Sequence, residues 1–251
     1  MANPKKLRAD LALVERGLVE SRARAQALIL GGKVFAGERR IEKPGEQVAA
    51  DAELDLRTPE HPWASRGGLK LVHGLDHFEI DPAGAVALDV GASSGGFTDV
   101  LLARGAAKVY AVDVGHGQLA WRLRKDERVE VLEKTNARAL TAELVPDAVA
   151  LIVCDASFIG LETVLPAPLA LATPTATLVA LIKPQFEVGK SQVGKKGVVR
   201  DPALHQQVCD RIEAWLAARP GWTVLGVTES PIKGPQGNTE FLIAARRDPD
   251  G

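Results

Sequence analysis

Downstream of residue 67 the chain alternates between short apolar runs and stretches whose apolar residues recur at helical spacing. The runs AVALDV, KVYAVDV, RVEVLE, ALIVCD and TLVALIK each predict a strand, and their near-continuous apolar character predicts burial on both faces. GLKLVHGLDHF, GGFTDVLLARG and residues 203–218 predict helices between or after them. GLETVLPAPLALA predicts a crossover bent or shortened by Pro166 and Pro168. TVLGVTES and EFLIAARR predict two closing strands. This alternation predicts an α/β, doubly wound, mainly parallel sheet, with ligands at the carboxyl ends of its strands.

The first 57 residues read differently. Leu7, Leu11, Leu13, Val14 and Leu18 predict a helix ending at Gly17. Ser21 then predicts the N-cap of a second helix, RARAQALIL, stopped by Gly31 and Gly32. The pieces KVFA, RRI, EQVA and ELDL follow as short strands, with turns at Gly37 and at Pro44-Gly45. RTPEHPWASRGG, rich in proline and glycine, predicts a linker with Trp63 packing at its joint. The expected division is residues 5–57, a linker 58–66, and residues 67–247.

Composition adds little until charge is divided along the chain. Hydrophobic residues make up 46% and charged residues 25% of 251, which suits a soluble globular protein. Cys154 and Cys209 lie far apart and match no metal spacing, so no metal is expected and a reducing cytoplasm fits better than secretion. No signal-like apolar leader and no membrane span is evident. The net charge of −1, however, hides an asymmetry: residues 1–40 hold nine Lys/Arg and four Asp/Glu, or +5, which leaves −6 for the remainder. A basic head on an acidic body points to a polyanion-binding module, and equally to a solvated helix face.

Asp89, Asp113 and Asp155 each end an apolar strand and should line one crevice. Gly91, Gly95 and Gly96, with Ala92, Ser93 and Phe97 among them, form the turn after the first strand, where a ligand approaches the backbone closely. Asp113 is placed to bind ribose hydroxyls, a feature shared by nicotinamide and S-adenosylmethionine enzymes, or else to cap a helix. Asn136 in TNAR follows the third strand, where an adenine would lie. SRGGLK holds Lys70, LIVCDASF holds Asp155, LVALIKPQFE holds Lys183, and SPIKGPQGNTEF holds Glu240. Taken singly, each has a plain alternative: an exposed helix lysine, a turn cap, a solvent-facing strand end, a turn.

LRADLALVERGLVESRARAQALILGGKVFAGERRIEKPGEQV resembles the S4 RNA-binding domain, with Ala36-Gly37 where that family has a small polar turn. The Lys70, Asp155, Lys183, Glu240 set resembles the tetrad of FtsJ-like ribose 2′-O-methyltransferases. SRGGLKL, DVGASSGGFTDVLL, VDVGHGQL, LIKPQFE, GVVRDP and SPIKGPQGN, in this order and behind the S4-like head, make the chain from about Leu7 to Ala244 similar to the TlyA family, often called hemolysin A, with Ser94 where that family has Thr.

The resemblance implies a Rossmann-like S-adenosylmethionine-dependent methyltransferase sheet behind a small S4-like α+β domain. It implies cytidine 2′-O-methylation of ribosomal RNA, of the large and in some members also the small subunit. Lys70, Asp155, Lys183 and Glu240 would then be catalytic, and Asp89, Gly91, Ala92, Ser93, Gly95, Gly96, Phe97, Asp113, Asn136 and Asp155 would hold the cofactor. Arg8, Arg22, Arg24, Lys33, Arg66, Lys190, Lys195 and Lys196 would contact RNA, the last three from a basic, glycine-containing loop. A ribose hydroxyl is a poor nucleophile until its proton is lost or strongly hydrogen-bonded, and a lysine held by carboxylates orients it. Two other readings stand beside this one: an RNA-binding S4 protein with an inactive methyltransferase-like domain, and a membrane-active hemolysin.

Overall fold

The computed structural model describes residues 6–37, 39–57, 61–189, 192–194 and 197–248. The chain divides into two compact units, with the boundary between Pro62 and Trp63.

In the first unit, β1 (Lys6–Arg8) runs into α1 (Ala9–Glu15), and α2 (Arg22–Leu30) follows. β2 (Val34–Ala36), β3 (Arg39–Arg40), β4 (Gln47–Ala49) and β5 (Leu54–Leu56) complete it. β1 pairs antiparallel with β4, and β3-β2-β5 form a small antiparallel sheet. The core is Ala9, Ala12, Leu13, Ala25, Ile29, Val34, Ile41 and Val48. Ser21 caps α2 by accepting from the Arg24 N–H at 3.2 Å, as its sequence position predicts. The helix expected from Leu7 to Gly17 is shorter than its apolar spacing suggests. Leu7 instead lies on a strand opposite Val48, and Leu18 lies beyond the helix, partly exposed. A short strand and a short helix in series mimic one longer helical period.

The second unit holds a seven-stranded sheet of order β11-β12-β10-β9-β6-β7-β8. Its elements are α3 (Gly67–His77), β6 (Val86–Val90), α4 (Gly96–Ala103), β7 (Lys108–Asp113), α5 (Trp121–Arg124) and β8 (Val129–Glu133). Then come β9 (Val149–Cys154), α6 (Leu161–Val164), α7 (Pro166–Ala170), β10 (Ala172–Ile182) and α8 (Pro184–Glu187). α9 (Pro202–Ala217), β11 (Trp222–Glu229) and β12 (Phe241–Arg247) close it. β8, β7, β6, β9 and β10 are parallel, and β12 enters antiparallel between β10 and β11.

Alternate residues of each strand feed two cores. Leu88, Tyr110, Ile152, Leu178 and Ile243 face α6, α7 and α9, while Ala87, Val109, Leu151, Val179 and Leu242 face α3, α4 and α5. Double burial accounts for the continuous apolar runs. Pro166 splits the expected crossover into α6 and α7, standing at the first position of the second helix, where its missing N–H costs nothing.

Candidate active site

The chain runs outward from β6 through β7 to β8, then returns to β9 on the other side of β6. Strand order reverses between β6 and β9, and a crevice opens there at the carboxyl ends. Gly91 follows β6 with φ +84°, and a Cβ on it would lie 2.9 Å from the Ala156 backbone. The loops leaving β6 and β9 therefore touch backbone to backbone, a contact only glycine permits.

Two clefts flank this contact. One, of about 390 Å³, is lined by Lys70, Asp155, Lys183 and Glu240, together with Arg66, Gln185 and Phe186. The other, of about 360 Å³, is lined by Val112, Asp113, Val114, Asn136, Ile159 and Val164. Gly91, Ser93, Asp155, Ser157 and Phe158 border both.

The first cleft brings the four sequence-distant residues together as two ion pairs. Lys183 immediately follows β10 and Asp155 immediately follows β9, its parallel neighbour; the Lys183 ammonium lies 2.6 Å from Asp155 Oδ1. It also donates to the Asp155 carbonyl at 3.0 Å and to Ser157 Oγ at 2.9 Å. Lys183 is 7% exposed, so it is not a solvent-facing strand end. Lys70, on the first turns of α3, donates to Glu240 Oε2 at 2.5 Å, and both residues are buried. Gln185 Nε2 donates to the other Glu240 oxygen at 3.2 Å.

The residues preceding α3 are tied to α4. The Ala64 N–H donates to Asp99 Oδ2 at 2.8 Å, and Arg122 Nη1 donates to Asp99 Oδ1 at 2.6 Å. Trp63 packs over Gly68 and against the α3–α4 core. Asn238, buried two residues before Glu240, ties the 230s loop to residues 197–199: its Oδ1 accepts from the Val199 N–H at 2.9 Å and its Nδ2 donates to the Gly197 carbonyl at 3.0 Å.

The residues expected to hold the cofactor do not line one crevice but fall into two layers. Asp113 faces it, and its carboxylate accepts from Ser93 N–H at 2.8 Å and Gly115 N–H at 2.6 Å. It thus joins the turns after β6 and β7 and caps no helix. Asn136 faces it too, its Oδ1 accepting from the Arg138 N–H at 3.1 Å. Gly91 and Ser93 border both clefts, and Ala92, Gly96 and Phe97 border the first.

Asp89 and Gly95 lie deeper and line neither cleft. Asp89 is fully buried, its Oδ2 accepting from Thr98 Oγ1 at 2.6 Å. Burial, reinforced by the charges of Asp155 and Asp113, pushes its carboxyl up to about 7. Gly95, at φ +92°, is covered by Leu119 and Leu123.

Of the residues expected to meet RNA, Arg8 and Arg22 converge on buried Asp10. Arg24 and Lys33 are exposed. Arg66 donates to the Lys233 carbonyl at 3.1 Å on the rim of the first cleft. Lys190, Lys195 and Lys196 lie outside the described residues.

Ser157, Gln185 and Phe158 join the site without having been singled out in the sequence. Phe158 is 88% exposed, in the left-handed region at φ 64°, with its ring 4.9 Å from that of Phe186. An aromatic residue three positions past a strand-end aspartate was the available signal. A left-handed backbone at an exposed phenylalanine between two clefts carries strain.

The chain matches the FtsJ-like methyltransferase family over residues 63–247 and the S4 domain over residues 7–54. It is 50% identical over 247 residues to the 16S/23S rRNA (cytidine-2′-O)-methyltransferase TlyA of Mycobacterium tuberculosis, covering 98% of this chain and 92% of that protein. It is 36% identical over 237 residues to hemolysin A of Brachyspira hyodysenteriae, covering 94% and 98%. A solved structure from Streptococcus thermophilus, named for a hemolysin, superposes with a TM-score of 0.74 at 39% identity, covering 98% of this chain and 90% of that one. With a doubly wound sheet, a cleft at its switch point and a family match across most of its length, this chain belongs to the FtsJ-like methyltransferase family and carries an S4 domain ahead of the catalytic unit.

Proposed function

We propose that the protein is an S-adenosylmethionine-dependent methyltransferase acting on the 2′-hydroxyl of cytidines in ribosomal RNA, of the large and also the small subunit. The observation that carries this reading is the convergence of Lys70, Asp155, Lys183 and Glu240 on one cleft that shares a wall with a second. The relatives named as rRNA (cytidine-2′-O)-methyltransferases support the substrate class. The S4 domain supports an RNA partner, either ribosomal RNA or a ribosomal subunit. Among the described residues no helix is long and apolar enough to cross a membrane. We infer a cytoplasmic enzyme.

The second cleft fits the nucleoside part of the cofactor. Its walls are mainly apolar, from Val112, Val114, Ala137, Ile159 and Val164, which suits an adenine ring, and Asp113 presents a carboxylate suited to ribose hydroxyls. Asp155 borders both clefts, where its negative charge complements a sulfonium. The chemistry that S-adenosylmethionine supplies when bound is an electrophilic methyl on positive sulfur.

The protein's own residues handle the nucleophile. Lys183, anchored by Asp155 and Ser157, offers its ammonium to the ribose oxygen, and so orients that oxygen and stabilises the negative charge that grows on it as its proton leaves to solvent. Lys70 and Glu240, locked to each other, offer a donor and an acceptor to the ribose edge. Phe158 offers a ring face to a base.

The test is methyl transfer from isotopically labelled S-adenosylmethionine to ribosomal RNA and to isolated subunits, followed by mapping of 2′-O-methyl positions. Label on cytidine 2′-oxygens is expected. Label on bases, or none on any RNA substrate, overturns the reading.

A further inference from the structure

We infer that Asp10 is a positioning residue that builds Arg8 and Arg22 into one preset receptor for RNA phosphates. The inference rests on the RNA-binding reading of the first unit. It concerns a residue of the wrong charge for that task.

Asp10 stands on the first turn of α1, has no solvent exposure, and carries a side chain fully used as an acceptor. Arg8 grips it with two bonds, Nε to Oδ1 at 3.0 Å and Nη2 to Oδ2 at 2.9 Å. Arg22, from the start of α2, donates its Nε to Oδ2 at 2.9 Å. Gln26, one helical turn further on, donates to the same oxygen at 3.0 Å, and the Leu11 N–H donates to Oδ1 at 3.0 Å. The Arg8 hydrogen bonds hold the carboxyl well below the usual carboxylate range, so it stays ionised wherever RNA binding is measured.

Both arginines nevertheless reach solvent, with side chains 41% and 52% exposed. Among the described residues, Nη1 of Arg8 and both Nη groups of Arg22 make no other hydrogen bond. The Arg8 guanidinium lies over Gly45, where a Cβ would come within 3.2 Å of Nη1. It is therefore confined from beneath by the turn and from the side by Asp10.

Two guanidiniums sharing one buried carboxylate keep a net charge of +1. Their inner edges are spent on the carboxylate and their outer edges are open. That is the geometry of a preformed site for the paired anionic oxygens of an RNA backbone. Without Asp10 the two cations would repel and sample many rotamers, and binding would have to order them.

Bare electrostatics predicts the opposite sign, which makes the inference testable. Removing a negative charge from a polyanion-binding surface should tighten binding; removing a positioning group should weaken it. The experiment measures binding of the full chain to deproteinised large-subunit ribosomal RNA over a range of salt. Asp10→Asn is expected to weaken binding about tenfold and to flatten the log–log salt dependence by roughly 0.7–0.9 for each phosphate that the pair no longer neutralises. Arg8→Lys with Arg22→Lys, which keeps both charges but not the fork, is expected to weaken binding similarly. Adding Asp10→Asn to Arg8→Ala/Arg22→Ala should then cause no further loss, which a merely structural role of Asp10 would not give.

Asp10→Asn binding RNA as tightly as the unaltered chain, or more tightly, overturns the inference while Arg8→Ala/Arg22→Ala still weakens binding. If the arginine pair is also without effect, the RNA-binding reading of the unit fails with it. Should Asp10→Asn not fold, the double lysine variant decides: unaltered affinity there overturns the inference.

Discussion

Lys183 and Asp155 immediately follow two adjacent parallel strands, and the Lys183 ammonium meets the Asp155 carboxylate at 2.6 Å. The Asp155 N–H is bonded to the Val90 carbonyl at 2.9 Å and Lys183 stands between β10 and α8, so the pair is placed before any ligand arrives. Lys183→Ala is expected to leave the fold and cofactor affinity nearly intact while lowering the single-turnover methyl-transfer rate by about 10²–10⁴-fold. Lys183→Arg should do nearly as badly, because a planar fork cannot reproduce the bonds to Ser157 and the Asp155 carbonyl made by a compact ammonium. Near-normal rates in either variant would remove Lys183 from the reaction.

Lys70 and Glu240 behave as a unit of another kind. Their side chains are 8% and 1% exposed, so deleting one strands the other without solvent. Glu240→Gln or Lys70→Met alone should cost about 3–5 kcal/mol of stability, and the double variant should recover much of it. Activity should not return with stability. Denaturant melts and turnover of the three variants, measured side by side, separate the structural share from the catalytic one; a double variant that regained methyl transfer would show that the pair serves folding alone.

Asp113 carries two backbone N–H groups as well as its expected ribose contact. Asp113→Asn keeps an acceptor for the turn but loses the charge. It should weaken S-adenosylmethionine binding by about 1.5–3 kcal/mol in calorimetry. Unchanged cofactor affinity would move the ribose elsewhere.

Asp89 ties stability to pH. Its carboxyl is raised to about 7 by burial, against an ordinary value of 3.8. A raised acid binds more protons folded than unfolded between those values, so its contribution is fully present below about 4 and is lost as pH rises through about 7. Asp89→Asn should therefore stabilise the protein more at pH 8 than at pH 5, as read by thermal melts at the two pH values. An equal effect at both would place the native carboxyl in its ordinary range.

The central strands of the second unit were legible because burial on both faces leaves long, mainly apolar runs in them, and the ends of β9 and β10 were legible because charge reappears just beyond them. That is why Asp155 and Lys183 stood out. Ser157 and Gln185 did not, since nothing local marks a serine or glutamine whose partner comes from another strand. The pairing of Lys70 with Glu240 spans 170 positions, and only the insertion of β12 between β10 and β11 brings them together. Local pattern carries strand identity but not spatial order. The first helix was overextended for a related reason: Leu7 owes its burial to Val48 across a two-stranded ladder, not to a helical face.

The place of β12 also sets an order of events during synthesis. β10 is made some sixty residues before its antiparallel neighbour, and until Phe241–Arg247 have emerged its apolar edge has no partner. β11, made in between, pairs among the described strands only with β12 and has no place in the sheet until then. Lys70 waits as well, since Glu240 immediately precedes the same strand. A nascent chain stopped before residue 240 therefore has an open sheet edge and a Lys70 without its carboxylate together, so the step that covers the edge is also the step that completes this ion pair.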